Sequence, residues 1–264
     1  MKYLFDEKNH LHSLDGKPLI GTSTAVGIIS KPLSYWASGM AVGTLGWTAT
    51  KSDPDMRLEV ATVALDAIKQ LDPTGWLKRL DLAYKAHATR LKDSATEGTD
   101  LHAELEKYIV ACLEKEGKPM TAIAPFIPQV EKFANWAQEN VDHFTFSEGY
   151  CYSKDIWVGG ICDAGAKMKD GKFALFDFKS SKDAYYNQFV QVAGYSLQIH
   201  ENGVFDKDGN EVDAYNVKAD VLYIVPFGAE DMTPRPQYDV EGFQQAFVAC
   251  VRLYKGSEEF NYNK

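Results

Sequence analysis

Residues 158–179 read VGGICDAGAKMKDGKFALFDFK, which are two strand-like runs joined by the turn Lys169-Asp170-Gly171. The second run ends in Asp177-Phe178-Lys179. Side chains on a β-strand point alternately to its two faces, so Asp177 and Lys179 share one face and Phe178 lies on the other. The pattern therefore predicts an acid and an amine that project together from an otherwise apolar strand.

The length of the turn decides whether Asp163 joins this pair. The three-residue loop Lys169-Asp170-Gly171 is a type I turn with a G1 bulge, which favours glycine at its third, left-handed position. This loop places Asp163 directly opposite Asp177, with their Cβ atoms roughly 5 Å apart. A two-residue loop would instead place Asp163 opposite Phe178. Because glycine occupies the third position, we expect the three-residue loop.

The opposed carboxylates indicate a metal site. Two carboxylates that face each other repel and destabilise a hairpin unless a cation lies between them. We therefore expect Asp163 and Asp177 to bind a divalent ion, and their oxygen ligands suit Mg²⁺ or Mn²⁺. Lys179 would orient or help to deprotonate a water on the ion, or neutralise charge that develops on a phosphate. The alternative is an ordinary surface strand with a salt-bridged Asp–Lys pair.

Three further residues are candidates for the same site. His102 and Glu106 are four residues apart in the segment 98–106, so they share one face of a helix. An imidazole can supply a further metal ligand or bind substrate. Glu148, in the first predicted strand of the sheet, can reach the same place. For each of these residues the alternative is a solvated surface side chain.

Four segments of the chain, in their order, resemble the motifs of the PD-(D/E)xK nuclease superfamily, in its RecB-like and lambda-exonuclease-like branch. They are GTDLHAELE (98–106), GGICDA (159–164), FDFKSSK (176–182) and QVAGY (191–195). That branch has a GxxxH-type helix, a GxxD strand, a (D/E)xK strand and a QxxxY helix. The segment Gly21-Thr22-Ser23-Thr24 also resembles an SxT element found near the N-terminus of phage and mitochondrial members.

The resemblance implies a role for each matching residue. The implied catalytic residues are Asp163, Asp177, Lys179 and His102, and the implied metal ligands are His102, Asp163, Asp177 and the backbone carbonyl of Phe178. The implied nucleic-acid-binding residues are Gln191, Tyr195, Thr22, Ser23 and Thr24, although Gln191 and Tyr195 can alternatively organise the site. Glu106 and Glu148 are accessory candidates.

Composition excludes several other classes of protein. The chain has 264 residues with 28 Lys and Arg against 37 Asp and Glu, a net charge of −9, so it does not coat DNA through bulk positive charge. It has no GxxxxGK[ST] and no GxGxxG motif, which argues against P-loop and dinucleotide sites. Its cysteines, Cys112, Cys151, Cys162 and Cys250, are scattered, so we expect reduced, mostly buried thiols and no iron–sulfur cluster. No apolar run is long enough for a membrane span, and the first residues lack the apolar region of a signal peptide, so a cytoplasmic protein is expected, in the host if phage-encoded.

The hydrophobic pattern predicts one α/β domain over residues 1–264 with a helical N-terminal half. The resemblance implies that this domain has a restriction-endonuclease-like core, a central mixed β-sheet flanked by helices. Residues 1–94 are expected to be mainly helical after a short β-hairpin, residues 95–225 to form the catalytic core, and residues 226–264 to carry a C-terminal helix. Separate helices are predicted over 76–91 and 99–113. Strands are predicted over 144–152, 156–168, 172–178 and 219–225.

These expectations together predict a Mg²⁺- or Mn²⁺-dependent deoxyribonuclease. It would hydrolyse phosphodiester bonds by attack of a metal-activated water, as an exonuclease acting from DNA ends in recombination, repair or phage DNA metabolism. The alternatives are a structure-specific or restriction-like endonuclease, and a catalytically silent DNA-binding or assembly protein of the same fold. The expected partners are single-stranded DNA or duplex ends, with a homo-oligomer or a recombination partner protein as further options and no membrane.

Overall fold

The computed structural model describes residues 2–30, 34–47, 54–121, 127–212, 217–228, 230 and 232–262. Contacts divide the chain into two compact units. The first comprises Met1–Ser30 and Gly98–Lys264, and the second comprises Lys31–Glu97. The sequence predicts a single domain, whereas the structure separates the stretch 31–97 as a unit with its own internal contacts.

The N-terminal strands belong to the first unit and are short. They are β1 (Tyr3–Asp6), β2 (Leu11–Leu14), β3 (Lys17–Pro18) and β4 (Ile20–Gly21), followed by α1 (Thr22–Val26) and a 3₁₀ turn over Gly27–Ile29. Strands β1, β2 and β3 form a small antiparallel sheet. The predicted N-terminal hairpin is therefore confirmed.

The second unit is helical in its described residues. It contains α2 (Ser34–Thr44), α3 (Pro54–Lys69) and the first part of α4 (Pro73–Leu113). The sequence predicts two helices over 76–91 and 99–113, but α4 is continuous through Gly98. A glycine inside a helix costs only about 1 kcal/mol relative to alanine, so it did not stop this helix. Within the described residues, none of the helices is both long enough and apolar enough to cross a membrane.

The remaining elements belong to the first unit. They are α5 (Pro128–Asn140), β5 (Val141–Ser153), β6 (Val158–Met168), β7 (Phe173–Lys179), α6 (Tyr186–Asn202), β8 (Val204–Phe205), β9 (Glu211–Val212), β10 (Val221–Pro226), β11 (Arg235–Gln237) and α7 (Val240–Tyr262). Strands β11-β10-β7-β6-β5-β8-β9 form one sheet in that order, and β4 pairs with β6. The pairs β7–β10 and β4–β6 are parallel and the others are antiparallel. The protein is thus α/β with a central mixed sheet, as predicted.

Helices cover both faces of this sheet. On one face, Phe176 and Phe178 of β7 join a buried cluster with residues of α5 and of the second part of α4, such as Phe133 and Leu105. On the other face, Leu175 joins a cluster that includes residues of α6. The side chains of β7 therefore alternate as predicted, and Asp177 follows Leu175 on the α6 side of the sheet.

The turn between β6 and β7 has the predicted length. The N–H of Gly171 donates to the carbonyl of Met168 at 2.9 Å, and the N–H of Met168 donates to the carbonyl of Lys172 at 2.8 Å. Gly171 has a φ of +88°, the left-handed conformation that favours glycine. The ladder ends at the pair Ala164–Phe176, and continuing its register by one residue sets Asp163 opposite Asp177.

Candidate active site

Three carboxylates lie in one row across three neighbouring strands. The β5–β6 ladder pairs Ser147 with Ala164 and Gly149 with Cys162, which places Glu148 between them opposite Asp163. The β6–β7 register places Asp177 on the far side of Asp163. Strand pairing alone therefore concentrates negative charge at this point of the sheet.

Asp177 and Lys179 form an ion pair at the end of β7, in which the carboxylate is buried and the ammonium is partly exposed. The Lys179 Nζ atom lies 2.6 Å from Asp177 Oδ2, and the Asp177 side chain is only 1% exposed. Burial raises the pKa of Asp177 to about 6, an effect that Lys179 opposes and Asp163 reinforces. Burial lowers the pKa of Lys179, but the charges of Asp177 and Asp163 outweigh burial and raise it above its usual value. The lysine is therefore held in its charged form by the acids beside it.

His102 reaches the row from α4. Leu105 and Ile109 on the same helix pack into the core against the sheet, and this packing brings the His102 ring edge-on to Phe178 at a centroid distance of 5.6 Å. Its Nε2 atom lies 3.1 Å from Asp163 Oδ2. Burial lowers the pKa of His102, but the hydrogen bond and charge of Asp163 outweigh burial, so the pKa is raised.

Asp163 also holds the end of β7 in place. Its Oδ2 atom accepts a hydrogen bond from the backbone N–H of Phe178 at 2.5 Å. The Phe178 ring is buried in the core, while its backbone carbonyl remains a predicted metal ligand. One carboxylate thus contacts the helix through His102 and the neighbouring strand through Phe178, which fixes the relative positions of the candidate ligands.

The two accessory candidates, Glu106 and Glu148, lie beside His102. One ligand atom from each of His102, Glu106 and Glu148 lies within 4.8 Å of the other two. Burial raises the pKa of Glu148, and the charge of Glu106 raises it further. Glu148 has a left-handed φ of +47°, which is uncommon for a residue with a side chain. Because this conformation interrupts the regular strand, the alternation of side chains along β5 does not predict which way the Glu148 side chain points.

A polar pocket opens beside Glu106 and Glu148. It has a volume of about 410 Å³. Its walls include Glu7, Tyr150, Phe205 and Lys207 together with the two glutamates. The acidic cluster is therefore accessible from this side to water and small ions.

The residues present fit a divalent cation. Asp177 Oδ2 is buried and, apart from its ion pair with Lys179, has no hydrogen-bond partner among the described residues. A buried carboxylate that has a second acid beside it is costly unless positive charge balances both acids. The surrounding donors are carboxylate oxygens and one imidazole, which suit Mg²⁺ or Mn²⁺. His102 is common to the predicted ligand set with Asp163 and Asp177 and to the set with Glu106 and Glu148.

Gln191 and Tyr195 are connected to each other on α6. Gln191 Nε2 donates a hydrogen bond to the Tyr195 hydroxyl at 2.6 Å. Tyr195 is only 5% exposed, and burial, followed by the charge of Asp177, raises the pKa of its hydroxyl well above the usual value. The charge of Asp177 thus acts on the Tyr195 hydroxyl, which favours the interpretation that Tyr195 organises the site.

The N-terminal Gly21-Thr22-Ser23-Thr24 segment begins α1 beside β6. The Thr22 side chain is buried, its hydroxyl donates to the Gly159 carbonyl at 3.0 Å, and it accepts from Gln198 Nε2 at 2.8 Å. Thr22 therefore links α1, β6 and α6 and has no surface left to offer DNA. Ser23 and Thr24 are exposed, so their contact with nucleic acid stays a prediction.

The glycine pair of the GGICDA segment has a steric explanation. A Cβ atom on Gly160 would lie 2.5 Å from the Tyr195 ring and 2.6 Å from the Thr22 hydroxyl. Only glycine allows α1 and α6 to approach β6 this closely. The segments 21–24, 159–164 and 191–195, which are distant in sequence, therefore meet at one point next to the row of acids.

No family model matches the chain, and no curated protein matches it. Sequence reasoning alone also missed Gln198, whose amide bonds Thr22 and lies 3.7 Å from Cys151 Sγ. A buried glutamine within the apolar face of α6 was the available signal, because a buried amide needs partners.

All four cysteines are buried and unpaired with one another, as predicted.

Proposed function

We propose that this protein is a Mg²⁺- or Mn²⁺-dependent deoxyribonuclease with a restriction-endonuclease-like core that acts from DNA ends. The observation that carries the proposal is the convergence of Asp163, Asp177, Lys179 and His102 at adjacent strand and helix positions. These residues come from three separate segments of the sequence, and each is one that the nuclease resemblance requires.

The candidate ligands would hold the ion in a rigid setting. His102, Asp163, Asp177 and the carbonyl of Phe178 would bind it, and Asp163 is itself fixed by contacts to His102 and Phe178. A divalent ion bound there would polarise the phosphate and stabilise the negative charge on the leaving oxygen. The acids supply the negative charge that attracts a cation to an otherwise apolar part of the sheet.

Lys179 has the position and the charge for a role in the hydrolysis. Its ammonium lies next to Asp177, is partly exposed at 26%, and is kept protonated by the acids. It would donate a hydrogen bond to the attacking water or to the phosphate oxygen on which charge develops. Tyr195 is buried beside the row, where it would exclude water from that side.

The biological setting follows from the same proposal. Such an enzyme would process single-stranded DNA or duplex ends in recombination, repair or phage DNA metabolism. The acidic overall charge implies that phosphate contacts are local to the site rather than spread over the surface.

Digestion of DNA tests the proposal directly. End-labelled linear DNA, in single- and double-stranded form, and covalently closed circular DNA are incubated with Mg²⁺, with Mn²⁺ or with a chelator. We expect metal-dependent loss of linear DNA from its ends, with the circle intact. Nicking of the circle would replace the exonuclease with an endonuclease, and binding without any cleavage of either substrate would support a silent DNA-binding protein instead.

A further inference from the structure

The polar pocket beside Glu106 and Glu148 lies at one end of the row of acids. Its volume of about 410 Å³ is within the range of pockets that bind small organic molecules. Glu148 lies at the β5 end of the row, opposite Asp163, whereas Lys179 lies at the β7 end. The row is about 10 Å long, because neighbouring strands of a sheet lie about 4.8 Å apart. The pocket and the candidate catalytic lysine are therefore on opposite sides of Asp163.

Negative charge dominates the wall of this pocket. The described residues that line it include one basic side chain, Lys207, and four acids, which are Glu7, Glu106, Glu148 and Asp206. Burial, followed by the charges of these four acids, raises the pKa of Tyr150 to about 12. Lys8, which follows Glu7 in the turn between β1 and β2, does not line the pocket. One lysine against four acids leaves the pocket negative.

Two hydroxyl groups line the pocket without a partner. Tyr150 is only 6% exposed, and within the described residues no hydrogen bond reaches its hydroxyl. The hydroxyl oxygen of Ser147 is buried and also lacks a hydrogen-bond partner in that part of the chain. A buried polar group without a partner is costly. These positions therefore suit a ligand that carries polar groups of its own.

We propose that this pocket binds the terminal nucleoside of a DNA strand that ends in a hydroxyl group, and that it rejects a strand that ends in a phosphate. The proposal rests on the nuclease function, in which the scissile phosphate lies at the ion and the terminal nucleoside lies beyond it. A hydroxyl end donates a hydrogen bond to a carboxylate and accepts one from Tyr150. A phosphate end adds about 1.5–2 negative charges, and the four acids repel it.

The same charges restrict cleavage to the end of a strand. A strand that continued through the pocket would bring a further phosphate against the four acids. At the other end of the row, Lys179 and the exposed Lys182 attract the phosphates of the remaining strand. A single cation would suit the acids but leave most of the pocket volume empty, whereas a nucleoside brings a base to the rings of Phe146 and Phe205 on its wall.

Oligonucleotides that differ only in their ends test the proposal. Single strands of one sequence carry a hydroxyl or a phosphate at the 5′ end or at the 3′ end, with the opposite end blocked by phosphorothioate linkages. At the end from which the enzyme degrades DNA, we expect kcat/KM in Mg²⁺ to be at least about tenfold higher for the hydroxyl form. Fluorescence anisotropy with Ca²⁺ in place of Mg²⁺ measures the same preference in binding, so the result does not depend on cleavage.

Charge changes at two exposed residues of the pocket wall sharpen this test. Glu7→Lys should lower the preference for the hydroxyl form by about threefold or more, and Lys207→Glu should raise it by a similar factor. Glu139→Lys is the control and should not alter the preference, because Glu139 is exposed at the end of α5, beside the distant turn between β6 and β7. A preference that responds equally to Glu7→Lys and Glu139→Lys, or to neither pocket variant, overturns the proposal.

The outcomes for the wild-type protein separate the pocket from the nuclease. Cleavage of both end forms at equal rates, the result for a pocket that binds only a cation, overturns the pocket proposal and leaves the nuclease intact. Tighter binding of the hydroxyl form without cleavage overturns the nuclease and supports the pocket. Binding of neither form overturns both.

Discussion

The β6–β7 hairpin carries the pattern Asp-x-Lys twice, seven residues apart, and the two copies behave differently. In Asp170-Gly171-Lys172, which lies in the turn, the side chains are 54% and 43% exposed. In Asp177-Phe178-Lys179, at the end of β7, they are 1% and 26% exposed. The carboxylate and the ammonium are in contact in both copies, so the tripeptide and its ion pair do not distinguish a candidate site from a surface turn.

The difference lies in what the rest of the fold places beside each copy. Hydrogen bonds from Lys172 lower the pKa of Asp170, as for any exposed ion pair. Burial raises the pKa of Asp177, and Asp163 reinforces the effect from the adjacent strand. Two features therefore favour a cation site at the second copy: Asp163 on the adjacent strand, and the burial of Asp177, which makes its negative charge costly.

Removal of the buried acid should have the largest effect. Asp177→Ala should abolish both Mn²⁺ binding and DNA cleavage, because the ion loses one ligand and Asp163 is left without the opposing carboxylate. Asp170→Ala, which removes the carboxylate of the other Asp-x-Lys copy, should leave both properties unchanged. The measurement is calorimetric titration with Mn²⁺ beside single-turnover cleavage of end-labelled DNA. Mn²⁺ binding at full affinity by Asp177→Ala would move the candidate metal site to His102, Glu106 and Glu148.

Removal of Lys179, the lysine beside the buried acid, should separate chemistry from binding. Lys179→Ala should lower the cleavage rate by a factor on the order of 10² or more, the scale for loss of an acid–base or electrostatic group. Mn²⁺ binding and DNA affinity should remain near those of the wild type, because Lys179 is not a ligand. Lys172→Ala is the matched control and should cleave normally. A Lys179→Ala protein that cleaves at the wild-type rate would show that Asp177-Phe178-Lys179 is an ordinary Asp–Lys salt bridge, like Asp170-Gly171-Lys172, and not part of a catalytic site.

The local part of this site could be predicted from sequence. Glycine at position 171 selected the three-residue turn, and the turn fixed the register that sets Asp163 opposite Asp177. Both steps depend on residues close in sequence, where backbone conformation follows from the residue type. The alternation that separates Phe178 from its charged neighbours is local in the same sense.

The contacts between distant segments could not be predicted with the same certainty. Glu148 lies opposite Asp163 only because β5 contains register shifts and a left-handed residue, and such irregularities have no clear sequence signal. The resemblance of the segment 21–24 to an SxT element predicts that Thr22 contacts nucleic acid, yet the structure buries Thr22 against β6 and Gln198. The predicted boundary at 94/95 lies close to the division at 97/98, but the sequence did not indicate that Met1–Ser30 belongs to the same compact unit as Gly98–Lys264.

In the metal-free protein, Asp177 and Asp170 should contribute to the free energy of unfolding with opposite dependence on pH. The pKa of Asp177 is raised to about 6 from 3.8, so the native state binds more protons than the unfolded state between these values. Stability should therefore fall as pH rises from about 4 to 6, by roughly 2–3 kcal/mol. The lowered pKa of Asp170 gives a contribution that is present above pH 3.8 and is lost as pH falls.

Urea unfolding in a chelator, at several pH values, measures both contributions. The difference in unfolding free energy between wild type and Asp177→Asn should become less favourable to the wild type from pH 4 to pH 6 and level off above that range. The same difference for Asp170→Asn should change only at lower pH, in the opposite direction. Equal slopes for the two variants would show that Asp177 is not buried in solution as it is in the structure.

The smallest expected effect concerns the middle residue of the exposed copy. Gly171 has a φ of +88°, and no atom lies within 4 Å of where its Cβ would be, so a substitution meets no steric contact and its cost is conformational. Gly171→Val should lower the free energy of unfolding by about 1–2 kcal/mol, the cost of a left-handed conformation for a residue with a side chain. Gly39→Ala in α2, where the space is also free, should raise it by about 0.5–1 kcal/mol, since the helical conformation suits alanine.

The functional outcome of Gly171→Val tests whether the turn sets the register of the site. If valine drives the hairpin into a two-residue turn, Asp163 shifts to face Phe178, and Mn²⁺ affinity and cleavage should fall together with stability. Gly39→Ala changes stability without touching the hairpin, so it should leave both activities unchanged. A Gly171→Val protein with lower stability but unchanged Mn²⁺ affinity would show that the ladder between β6 and β7 holds Asp163 opposite Asp177 without the glycine turn, and the link from turn length to metal site would then be wrong.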